Sequence, residues 1–127
     1  MKKVLLVEDN PMNRDMLSRR LIRNGFNVVL AVNGTQGVQM AFSEYPDLIL
    51  MDMNLPDIDG WEATRQIRKR EIELRKNRRI PIISVTAHAT SMDFNKAIDA
   101  GCDQYEPKPI QLASLLKKIY DLLKEDT

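Results

Sequence analysis

Along the chain, short unbroken apolar runs alternate with segments whose apolar residues recur three and four positions apart. Val4-Leu5-Leu6-Val7, Leu48-Ile49-Leu50-Met51 and Ile80-Pro81-Ile82-Ile83-Ser84-Val85 are of the first kind. Such runs are expected of strands covered on both faces, and a proline is tolerated near the start of the third. A further strand is predicted at Asn27 to Ala31, and a brief fifth around Asp103 to Tyr105. The intervening segments read as helices. Asn10 caps the first, Pro11 opens it, Gly25 ends it, and Met12, Met16, Leu17, Leu21 and Ile22 form its stripe. Asn33 caps the second, which carries Val38, Ala41, Phe42 and Tyr45 and stops at Pro46. The third runs from about Gly60 into a charged stretch, and the fourth, marked by Phe94, Ala97 and Ile98, closes at Gly101. Leu112, Leu115, Leu116, Ile119, Leu122 and Leu123 make the clearest stripe, with Lys117, Lys118 and Lys124 toward its negative end.

Five βα repeats with right-handed crossovers give an α/β, three-layer, doubly wound fold. The expected sheet is parallel and five-stranded, in the flavodoxin-like order 2-1-3-4-5. At 127 residues the chain suits one domain spanning 1–127. Open sheets of this kind bind ligands at the carboxyl ends of their strands. Glu8 and Asp9 follow the first strand, Asp52 the third and Thr86 the fourth, while Lys108 lies just past the fifth. The fold therefore brings three carboxylates, a hydroxyl and an ammonium to one edge.

Crowded carboxylates repel, so at least one pKa must rise unless a cation intervenes. Mg²⁺ suits such a donor set, and Lys108 adds positive charge from the other side. A carboxylate can attack a phosphoryl group to form an aspartyl phosphate, while a metal and a lysine stabilise the charge in transfer. Asp52 is central and is the expected nucleophile; Asp9, directly, and Glu8, through water, are the expected metal ligands.

The bulk composition agrees with this reading. Hydrophobic residues make up 43% and charged residues 29%, as in a globular chain, and a net charge of +1 gives no strong pull toward nucleic acid or anionic membrane. The single Cys102 cannot form an internal disulfide and reads as a small buried hydrophobe. The N-terminal apolar run is too short for a signal peptide, and no stretch approaches a membrane span. A cytoplasmic location is expected.

The pieces Val4-Leu5-Leu6-Val7-Glu8-Asp9-Asn10, Leu48 through Pro56 with Asp59-Gly60, Val85-Thr86-Ala87, and Tyr105 through Lys108-Pro109 occur in order, each around a strand end. Together they resemble the CheY-like receiver domain of two-component response regulators. The resemblance implies that Asp52 accepts a phosphoryl group from phospho-histidine on a sensor kinase or histidine phosphotransfer protein. It implies a Mg²⁺ site of Glu8, Asp9, Asp52 and the Asn54 carbonyl. Lys108 matches the lysine that contacts the phosphoryl group, and its bond to Pro109 is expected to be cis. Thr86 and Tyr105 match a switch pair that alters the surface of the fourth helix, fifth strand and fifth helix for a downstream protein. Pro107 before Lys108, Ile110 after Pro109, and the long stretch between Ile67 and Ile80 depart from the family's usual pattern.

The expected role is a signalling switch that assists its own phosphorylation and dephosphorylation, not a turnover enzyme. The chain stops after the fifth helix, so output is expected to pass through protein contacts unless this is a fragment of a longer protein. One alternative is a phosphatase of the haloacid-dehalogenase type; that chemistry needs an acid two residues after the nucleophile, where Asn54 stands. Another is a phosphorylation-independent pseudo-receiver, which would lack one of the acids or the lysine. His88, the only histidine, is either an exposed loop residue or, with Asn54, a flank of the path taken by hydrolytic water. Trp61 is expected to pack near the site. The basic run from Arg68 to Arg79 reads as a solvated helix end whose acids pair locally, without direct nucleic-acid binding.

Overall fold

A computed structural model describes residues 1–74, 77–87 and 90–124. The strands are β1 (Lys3–Val7), β2 (Asn27–Ala31), β3 (Leu48–Asp52), β4 (Ile82–Thr86) and β5 (Gln104–Pro107). The helices are α1 (Pro11–Arg23), α2 (Gly34–Ser43), α3 (Gly60–Glu73), α4 (Ser91–Ala100) and α5 (Leu112–Leu123). All strand pairs are parallel, in the order β2-β1-β3-β4-β5. Among the described residues no helix is long and apolar enough to cross a membrane.

The period of two along a strand sorts the core into two layers. Leu5, Val7, Ile49 and Met51 join Val38, Ala41, Ala63, Ile67 and Ala97 of α2, α3 and α4. Val4, Leu6, Leu48 and Leu50 join Leu17, Leu21, Leu115 and Ile119 of α1 and α5. Both layers exclude water, so every residue of β3 and β4 is buried. Each aliphatic side chain so buried contributes roughly 1.5–3 kcal/mol. The helix starts are fixed locally: the side chains of Asn10, Asn33, Asp59 and Thr90 accept the N–H of Asn13, Gln36, Glu62 and Asp93. Gly101 ends α4 at φ 110°, a left-handed conformation that favours glycine.

Four expectations change. The fifth strand begins at Gln104 and reaches Pro107, which carries the ladder up to Lys108. In α1, Met12, Met16 and Ile22 are exposed, and the buried face is Leu17, Ser18 and Leu21; in α4, Phe94 and Ile98 are outward while Ala97 and Ala100 pack. Tyr45 lies beyond α2, exposed and at φ 51°. The basic run is not simply solvated. Arg68 bonds Glu71 and Asp103 at 2.9 Å each and the Gly101 carbonyl at 2.9 Å, Arg79 also bonds Asp103, and Glu71 is buried with its other oxygen on the Ile80 N–H. Of that run, Arg75 and Lys76 lie outside the described residues.

Candidate functional site

Strand register decides which side chains meet. Val7 pairs with Met51, so the next residues, Glu8 and Asp52, stand level at the carboxyl edge. Asp52 pairs with Val85, and Thr86 with Pro107, so Thr86 and Lys108 end the next two strands at nearly the same height. The main chain holds this edge beyond the ladder: Glu8 N–H donates to Ala31, Met53 N–H to Val85 and Lys108 N–H to Thr86, at 2.8–3.0 Å. Asp52 is the last residue of β3, not the first of the loop.

One carboxylate oxygen from each of Glu8, Asp9 and Asp52 lies within 4.8 Å of the other two. Glu8 and Asp52 are buried and Asp9 is exposed. Lys108 Nζ donates to Asp52 Oδ2 at 3.1 Å and lies 4.0 Å from Glu8 Oε1. The other oxygen of Asp52 accepts the Asn54 N–H at 3.0 Å, and Glu8 Oε2 accepts the Asn10 N–H at 3.1 Å. The Lys108 ammonium thus reaches two of the three carboxylates, Asp52 and Glu8. The strain shows in Glu8, whose pKa is pushed up to about 7 by burial first, against the Asn10 N–H, with the neighbouring Asp52 adding to the rise. An oxygen-only donor set with excess negative charge and one open side fits a hard divalent cation.

Gly60 starts α3 directly against this edge. A Cβ there would overlap the Asp52 carbonyl oxygen and the Met53 side chain, so only glycine lets the helix start so close to the acid. An open cleft of about 560 Å³ runs beside the acids, lined by Glu8, Asn13, Met16, Leu17, Arg20, Lys108, Pro109 and Ile110.

The remaining expected residues fall as follows. Thr86 is buried at the end of β4 and does not cap α4; Thr90 does. Tyr105 is half-buried, with its ring centroid 5.0 Å from that of Phe94. The Lys108–Pro109 bond is cis. Asn54 is exposed, and Trp61 packs against the α2–α4 core layer with Lys96 Nζ 4.6 Å from its ring centre. His88 lies outside the described residues. Sequence reasoning missed Glu106 and Lys118. Glu106 is 1% exposed, and Lys118 Nζ reaches it at 2.8 Å, the Tyr105 carbonyl at 2.7 Å and the face of the Tyr105 ring at 5.7 Å. Lys118 therefore serves an ion pair to β5, not the end of its own helix. No local spacing announces a pair twelve residues apart on different elements.

The profile of the response regulator receiver domain matches residues 4–120. The chain belongs to the response regulator receiver family. It is 43% identical over 115 residues to hybrid signal transduction histidine kinase G of Dictyostelium discoideum, covering 89% of this chain but 3% of that protein. It is 36% identical over 122 residues to the transcriptional regulatory protein CusR of Escherichia coli, covering 96% of this chain and 51% of CusR. The receiver thus spans at most about half the length of these relatives. Among solved structures, the receiver domain of the sensor histidine kinase PA1611 from Pseudomonas aeruginosa, which holds a magnesium ion in its active-site cleft, superposes with a TM-score of 0.86 at 38% identity, covering 98% of each chain. The Saccharomyces cerevisiae Ssk1 receiver, crystallised with the histidine phosphotransfer protein Ypd1, gives a TM-score of 0.87 at 35% identity, covering 95% of this chain and 88% of that one. Receivers are switches of two-component signalling, not turnover enzymes.

Proposed function

We propose that this receiver takes a phosphoryl group onto Asp52 from a phospho-histidine donor, with Mg²⁺ held by Glu8, Asp9, Asp52 and the Asn54 carbonyl. The observation that carries this reading is the meeting of three carboxylates within 4.8 Å, with Lys108 Nζ 3.1 Å from Asp52. When bound, the cation would neutralise charge on the carboxylates and on the phosphoryl oxygens. An oxygen of Asp52 attacks phosphorus, the P–O bond forms, and the P–N bond to the donor imidazole breaks. Lys108 passes from the acid to a phosphoryl oxygen. The Thr86 hydroxyl, on the neighbouring strand end, bonds another, and Tyr105 rearranges with it.

The donor's imidazole must reach Asp52. The cleft beside Lys108, with Met16 and Ile110 on its walls, supplies apolar surface there for a histidine kinase or phosphotransfer protein. Output passes through α4, β5 and α5, where Met92, Phe94 and Ile98 of α4 stand exposed and Phe94 packs on Tyr105, for a downstream protein. The test is incubation with acetyl phosphate and Mg²⁺, followed by intact mass. A labile gain of one phosphoryl group on the native chain is expected, lost with EDTA and absent in Asp52→Asn. An equal adduct on Asp52→Asn would overturn the assignment.

A further inference from the structure

Seven residues, 53–59, link Asp52 to α3, and the loop carries Asn54. Its far end is tied to a different helix. Asp57 Oδ1 accepts the Gly34 N–H at 2.8 Å and Oδ2 accepts the Thr35 N–H at 2.9 Å, so one carboxylate takes the first two free donors of α2. Asn33 already caps α2 by accepting the Gln36 N–H at 2.7 Å, so Asp57 is a second cap from 22–23 residues away. The contact is close enough to require glycine: a Cβ at Gly34 would lie 2.5 Å from Ile58 Cγ1 and 2.7 Å from the Ile58 carbonyl oxygen. At the near end, Gly60 N–H donates to the Met53 carbonyl at 3.1 Å, and Asn54 N–H rests on Asp52 Oδ1. The loop is therefore pinned at both ends, once to the acid edge and once to α2.

We propose that Asp57 is a positioning residue for the cation site, clamping the 53–59 loop onto the start of α2 so that Asn54 stays seated on Asp52. This inference rests on the metal reading given above. A carboxylate at a helix N-terminus is favoured by the partial positive charge there and by charge-assisted bonds. Its ionisation bears this out. Slight burial works against the charged form, but the Thr35 hydroxyl, the Thr35 N–H and the Ile58 and Gly34 N–H groups outweigh it and hold the carboxyl well below the usual range. The clamp is thus charged throughout the physiological range, and it acts on the metal only through the loop.

The test compares native protein with Asp57→Ala, Asp57→Asn and Asn33→Ala. Asn33→Ala removes a cap from the same helix end without freeing the loop, and so controls for weakening α2. Mg²⁺ affinity is measured by calorimetry, without a phosphodonor. Asp57→Ala is expected to raise the Mg²⁺ Kd about tenfold, the low end of what loss of an outer partner of a metal site costs. Asp57→Asn, which keeps one acceptor oxygen, should fall between, and Asn33→Ala should stay within about twofold of native. Amide exchange at Asn54 in EDTA is the second readout: Asp57→Ala should speed it about tenfold, because the N–H leaves Asp52 more often. Unchanged Asn54 exchange in Asp57→Ala overturns the clamp, as does an equal Kd rise in Asn33→Ala. If native protein binds no Mg²⁺, the metal reading fails by itself and the exchange result alone decides the clamp.

Discussion

Burial, with Asp52 beside it, pushes the Glu8 carboxyl in the folded protein up to about 7, against 4.5 for a free glutamate. The folded state then holds more protons than the unfolded state between those two values. Stability contributed by the protonated form is full below about pH 4.5 and is lost as pH rises through about 7. With the two pKa values in the linkage relation, the loss between about pH 5.5 and about pH 7.5 comes to roughly 2 kcal/mol. Glu8 is only 6% exposed, so solvent screens little of this. Urea unfolding in EDTA at the two pH values measures it directly. Native protein should be less stable at the higher pH by about that amount, and Glu8→Gln, which cannot ionise, should lose the difference. Burial is the leading cause and the Asp52 charge a lesser one, so Asp52→Asn should trim the slope without abolishing it. Saturating Mg²⁺ should reverse the slope, since a cation among the acids favours their ionised forms. The same pH slope in Glu8→Gln as in native protein would refute the reasoning.

Two further outcomes follow from the buried ion pairs. Lys118→Met leaves Glu106 buried with the Ser114 hydroxyl at 3.1 Å but without its ammonium, and should cost about 3 kcal/mol in urea unfolding; Glu106→Gln added to it should recover most of the loss. Arg68→Met takes the guanidinium from the buried Glu71, which keeps the Ile80 N–H, while Asp103 and the Gly101 carbonyl keep Arg79; it should cost roughly 2–3 kcal/mol by thermal or urea unfolding, while Asp52 phosphorylation per folded molecule is unchanged.

The acid edge was legible because strands covered on both faces leave unmistakable apolar runs. Once β1 and β3 are set, connection rules bring Glu8 and Asp52 together, and the brief β5 then delivers Lys108 to the same edge. Helix starts were legible where a cap is local, as at Asn10 and Asn33. Helix faces were less so, because apolar side chains also populate surfaces: Met12, Met16 and Ile98 fit a stripe and yet face water. The network of Arg68, Glu71, Arg79 and Asp103 was out of reach, since a buried charge is invisible until its partner, up to 35 residues away, is placed beside it. The part played by Asp57 was hidden for the same reason: its partners sit on a helix encountered 22 residues earlier.

That arginine and acid network lies where β4 and β5 begin, and Asp52 lies where β3 ends. Cohesion and the proposed chemistry thereby fall at opposite poles of the same sheet. Loops around the reactive pole can drift, acquiring new conversational partners and new signal lifetimes, while the other pole keeps the scaffold intact. An architecture divided in this way lends itself to being copied, rewired and spliced into other signalling proteins.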